Sequence, residues 1–122
     1  MKRRRYTIAV DFDGVLAEYA GWKGSGNLGP ARPGAREFLE QLTKDYQVVI
    51  HTNRGTSEVW DWLRENDMEQ YVFAVGDRKP LAIAYIDDRA IEFRGDFSET
   101  LQKLQEFREG KMPYWKRGSE ND

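Results

Sequence analysis

Two carboxylates, one residue apart, close an apolar run in Ile8-Ala9-Val10-Asp11-Phe12-Asp13-Gly14-Val15. Neighbouring side chains of an extended strand point to opposite faces, so Asp11 and Asp13 leave its end on the same side. Like charges that close require a cation or a shared proton, which suits them to metal binding or acid/base chemistry. Three further stations follow: His51-Thr52-Asn53-Arg54-Gly55, then Lys79 within Gly76-Asp77-Arg78-Lys79-Pro80, then Asp87-Asp88. Carboxylates with one lysine and one hydroxyl make a hard oxygen site for an ion the size of Mg²⁺. A cationic and a hydrogen-bonding contact are left over for an anion, most obviously phosphate.

The elements that must position these groups alternate along the chain. Strands are expected at Tyr6 to Val10, Tyr46 to Ile50, Tyr71 to Val75 and Ala82 to Ile86, and a small edge strand at Ile91 to Phe93. Ala35, Phe38, Leu39 and Leu42 recur at helical spacing, and so do Val59, Trp60 and Leu63 behind a cap at Thr56 or Ser57. A last helix starts at Gly95-Asp96, with Phe97, Leu101 and Leu104 facing inward and Glu99 at capping-box spacing from Asp96. Five glycines and two prolines between Gly14 and Pro33 read as a long mobile loop. The pattern predicts an α/β fold, a doubly wound, Rossmann-like parallel sheet with helices on both faces. In such a sheet ligands bind beyond the carboxyl ends of the strands, where the marked residues fall.

The length of 122 residues fits one domain over 1–109, followed by a flexible tail over 110–122. With 19 basic against 21 acidic side chains, no global field recruits nucleic acid or an anionic membrane. The absence of cysteine excludes disulfides and thiolate metal sites. Met1-Lys2-Arg3-Arg4-Arg5 imitates the basic end of a signal peptide, but the apolar run behind it is too short for export or a membrane span, so a cytoplasmic protein is expected.

The order Asp-x-Asp-Gly, strand-terminal Thr, Lys, Asp-Asp resembles the haloacid dehalogenase superfamily of phosphohydrolases over about residues 6 to 105. The resemblance implies that Asp11 is the nucleophile, phosphorylated to an aspartyl phosphate, and that Asp13 is the general acid and base. It further implies that Thr52, with backbone amides near Gly14 and Asn53, holds phosphate oxygens, and that Lys79 neutralises the transferring group. Asp11, Asp87, Asp88 and the backbone carbonyl of Asp13 would hold Mg²⁺ as the cofactor. Asp13 points to the phosphatase branch. The segments between Asp13 and Thr52 and between Thr52 and Lys79 leave no room for a cap domain. A capless member implies a substrate that is a small phosphorylated molecule or an exposed phosphate on a larger one, or a second subunit that closes the site.

Other residues carry less. His51 alternates with Thr52 and is expected to point away from Asp11. Arg54 reads equally as a substrate contact or a surface ion pair, and Arg78 as a solvated loop charge. Tyr19, Trp22 and Lys23 suit a lid. Arg3 to Arg5 and Tyr114-Trp115-Lys116-Arg117 mix cations with aromatics, though a solvated flank is favoured over nucleic acid. A receiver-like signalling domain also uses acids, a Thr and a Lys, but carries its paired acids first and its phosphorylated Asp alone on a later strand. A phosphate-binding module without turnover is the remaining alternative.

Overall fold

The computed structural model describes residues 5–19, 21–24 and 26–109. Its elements are β1 (Tyr6–Asp11), α1 (Ala35–Leu42), β2 (Tyr46–His51), α2 (Thr56–Glu65), a 3₁₀ turn (Glu69–Tyr71), β3 (Ala74–Gly76), β4 (Ala84–Ile86) and α3 (Phe97–Glu109). The four strands form one parallel sheet in the order β3-β2-β1-β4. This is the expected α/β, Rossmann-like arrangement, and no additional module is inserted between its strands.

Two units can be distinguished among the described residues. One holds residues 5–19, 23–24 and 26–87, with the whole sheet, α1 and α2; the other holds residues 21–22 and 88–109, with α3. In the first, β-branched residues set the register: Ile8 stands beside Val48 and Ala84, and Val10 beside Ile50 and Ile86. The core gathers Ile8, Val10, Val48 and Ile50 with Ala35 and Leu39 of α1 and Val59, Trp62 and Leu63 of α2. Phe12, directly beyond β1, meets the Trp62 ring edge to face, with centroids 4.7 Å apart. That contact seats the start of the Asp11 to Gly14 turn on the core.

The Gly14 to Pro33 segment, read as a mobile loop, is bonded at its base. The amides of Leu16 and Ala17 both donate to the Phe12 carbonyl, Glu18 to Pro30 and Arg32 to Leu16. The Arg32 guanidinium donates to the carbonyls of Val15 and Gly14, and the Trp62 indole to that of Gly29. A Cβ at Gly29 would collide with the Glu18 carbonyl, so the two arms of this segment meet only with glycine at that place.

Several boundaries differ from expectation. The third strand is only Ala74–Gly76, because the amides of Tyr71 and Val72 close the 3₁₀ turn on Met68 and Glu69. The fourth is shortened to Ala84–Ile86, and Ile91 to Phe93 pairs with no strand among the described residues. Neither Thr56 nor Ser57 caps α2. The cap is Gly55, whose amide donates to the Glu58 carboxylate at 3.1 Å.

In the second unit, the Asp96 carboxylate caps α3 by accepting from the Glu99 amide at 3.1 Å, as its spacing implies. The helix face is otherwise reversed. Phe97, Leu101 and Leu104 are 77, 67 and 52 % exposed, whereas Lys103, Glu106 and Phe107 face Ala90 to Glu92. The Lys103 ammonium supports that orientation by donating to the Glu92 carbonyl at 3.2 Å, and within the helix it pairs with Glu99. The 110–122 tail, its aromatic and basic cluster, and Arg3 and Arg4 lie outside the described residues; Arg5 donates to the Thr43 carbonyl.

Candidate functional site

Strand order determines where the marked residues meet. From β1 the chain moves outward through β2 to β3, then returns to place β4 on the opposite side of β1. The reversal lies between β1 and β4, and the crevice beyond their carboxyl ends is where open α/β sheets bind ligands. Asp11 is the last residue of β1, and Asp87 and Asp88 follow directly on β4.

One carboxylate oxygen from each of Asp11, Asp87 and Asp88 lies within 4.8 Å of the others. Asp11 and Asp88 are half-buried and Asp87 is exposed. Three anionic oxygens so close, with no sulfur or imidazole among them, fit a hard divalent ion such as Mg²⁺ or Ca²⁺. The Phe12 amide donates to Asp11 Oδ1 at 2.9 Å, which fixes that carboxylate at the strand end.

Thr52 follows β2 and is buried, its amide donating to the Gly76 carbonyl at the end of β3 at 2.9 Å. Its Oγ1 accepts from the Arg54 amide at 3.1 Å. Accepting that bond leaves the hydroxyl proton for an anion, as a phosphate contact requires. Asn53, whose backbone amide is the expected phosphate contact, is exposed.

Gly14 differs from its expected part. Its amide donates to the Ala17 carbonyl at 2.8 Å, which closes the turn after β1 and removes that N–H from the set aimed at phosphate. Gly14 adopts φ 89°, and this left-handed backbone is what folds the turn back on itself. Lys79 is exposed, its ammonium over the Tyr85 ring at 4.7 Å from the centroid. The Tyr85 hydroxyl donates to the Pro80 carbonyl at 2.6 Å, so the lysine loop is tied to β4. His51 pairs in register with Asp11, which places the two on the same side of the sheet rather than on opposite sides. Its Nε2 lies 3.3 Å from the Asp77 carbonyl.

The contact that sequence reasoning missed joins Arg54 to Asp13. The Arg54 Nε donates to both Asp13 carboxylate oxygens, at 2.8 and 3.1 Å, and Nη1 to the Gly24 carbonyl at 3.3 Å. The Arg54 side chain is 2 % exposed and that of Asp13 20 %, so this is a buried pair and not a surface one. Two signals were available. Thr-x-Arg at a strand end lets the Thr hydroxyl fix the Arg backbone, and Asp13 at the mouth of the neighbouring strand is within reach of a guanidinium held there.

No protein-family model matches the chain, and no curated protein does. Among solved structures, the chain is similar to a conserved protein from Bacteroides thetaiotaomicron, at 25 % identity over 84 % of this chain and 92 % of that one, with a TM-score of 0.57. The likeness supports the α/β class of the fold. Among the described residues, no helix is long and apolar enough to cross a membrane.

Proposed function

We propose that this chain is a Mg²⁺-dependent phosphomonoester hydrolase that works through an aspartyl phosphate on Asp11. The observation that carries the reading is the meeting of Asp11, Asp87 and Asp88 oxygens within 4.8 Å at the strand-order reversal, one strand from the buried Thr52 hydroxyl. Asp11, Asp87 and Asp88, with the Asp13 carbonyl, would hold Mg²⁺, which when bound offsets the repulsion between these carboxylates and a phosphate dianion.

Asp11 Oδ attacks phosphorus, and the bond to the leaving oxygen breaks as Asp13 gives that oxygen a proton. Water then attacks the same phosphorus; Asp13 takes its proton, the bond to Asp11 breaks, and orthophosphate departs. Asp13 is thereby returned to the acid form for the next turnover. The Thr52 hydroxyl donates to a phosphate oxygen, and Lys79, carried by its loop, offsets the charge on the transferring group. The substrate is a phosphomonoester that reaches a site without a cap domain.

The test is phosphate release from p-nitrophenyl phosphate, sugar phosphates, nucleotides and phosphorylated oligonucleotides, with and without Mg²⁺. Turnover that needs both Mg²⁺ and Asp11 supports the reading. Equal turnover by Asp11→Asn, or none by the unaltered protein on the whole panel, removes it.

A further inference from the structure

Arg54 is held through both its backbone and its guanidinium. Its own backbone amide is fixed by the Thr52 hydroxyl, its Nε bridges both Asp13 oxygens, and Nη1 reaches the Gly24 carbonyl of the loop between β1 and α1. With 2 % of its side chain exposed, Arg54 is packed in place, and the Asp13 carboxylate is oriented by the two hydrogen bonds that it accepts from Nε.

Resting on the hydrolase reading above, we infer that Arg54 is a positioning residue for the second half of the reaction. It holds the Asp13 carboxylate as the acceptor for the proton of the water that attacks the Asp11 phosphate. The balance of that step is simple. The water oxygen bonds to phosphorus, the bond between phosphorus and Asp11 Oδ breaks with its electron pair returning to Asp11, and one water proton passes to Asp13. The first half has different needs. When the leaving group is p-nitrophenolate, its oxygen departs without a proton, so formation of the aspartyl phosphate does not depend on Asp13. Loss of Arg54 therefore slows one half-reaction and spares the other.

The asymmetry has a kinetic signature. With p-nitrophenyl phosphate, kcat/KM reports events up to phosphoryl transfer, while kcat falls with the slower hydrolysis of the intermediate. For Arg54→Met, kcat is expected to fall by roughly tenfold to a hundredfold, within the range ascribed to general acid/base groups. KM falls in proportion, kcat/KM stays near that of the unaltered protein, and p-nitrophenol appears in an initial burst that matches trapped phosphoprotein. Arg54→Lys keeps the buried charge without the fork and gives the same pattern to a smaller degree, which covers the case in which Arg54→Met does not fold. Equal losses in kcat and kcat/KM, with no burst in whichever variants fold, would overturn the inference and leave the hydrolase reading standing. Absence of turnover by the unaltered protein, or its persistence in Asp11→Asn, overturns the hydrolase reading and this inference with it.

Discussion

A guanidinium keeps its charge inside a protein, and the buried Arg54 side chain reaches the Asp13 carboxylate at 2.8 Å. Breaking such a pair by removing one member costs about 3–5 kcal/mol when both are buried. Asp13 retains 20 % exposure, so Asp13→Asn is expected at the lower end, near about 3 kcal/mol in urea unfolding. The double variant Asp13→Asn with Arg54→Met should lose less than the sum of the single losses, with a coupling of at least about 1 kcal/mol. A coupling of only about 0.2 kcal/mol, as for exposed pairs, would show that solvent reaches the contact.

The elements differ in how much of them was legible from the chain. The places of β1 and β2 were, because each is a short apolar run bounded by polar and turn residues, whereas their pairing and register are set by the assembled sheet. The approximate places of Asp11, Thr52, Asp87 and Asp88 were legible for a related reason, since each stands at a fixed offset from a strand end. The contact between Arg54 and Asp13 spans 41 residues, and no local period reports it. The short strand β3 is set by a 3₁₀ turn that competes for its first amides, and helix α3 by the Lys103 contacts that turn its polar side toward Ala90 to Glu92. The exposed stripe of α3 gives a sharp expectation. Leu101→Ser should change the unfolding free energy by no more than about 0.5 kcal/mol plus the small difference in helix propensity. A loss of about 2–5 kcal/mol in the same urea series would mean that Leu101 is buried in solution, as its spacing alone suggests. Trp62→Phe carries the opposite expectation. It deletes the indole bond to the Gly29 carbonyl beneath a ring that is 7 % exposed, and should cost at least about 1 kcal/mol.

For the whole molecule, the carboxylate group links ligand binding to folding. Asp11 lies far along the chain from Asp87 and Asp88, so their oxygens come within 4.8 Å only when β1 and β4 are paired. A cation that bridges these oxygens binds the folded chain and not the unfolded one. At a hundredfold excess over its dissociation constant it adds about 2.7 kcal/mol to the unfolding free energy. Thermal unfolding of the unaltered protein should therefore rise with Mg²⁺ and level off in the logarithmic manner of a single site, while NaCl at matched ionic strength, which only screens, should not reproduce the rise. Asp87→Asn is the informative variant, because Asp87 is exposed and its replacement leaves the core intact while removing one of the three carboxylate charges that would hold the cation. Its melting temperature should respond to Mg²⁺ no more than to NaCl. A full Mg²⁺ response in Asp87→Asn would place the cation on other residues, and the strand-order reversal would then lose its claim to be the centre of the chemistry.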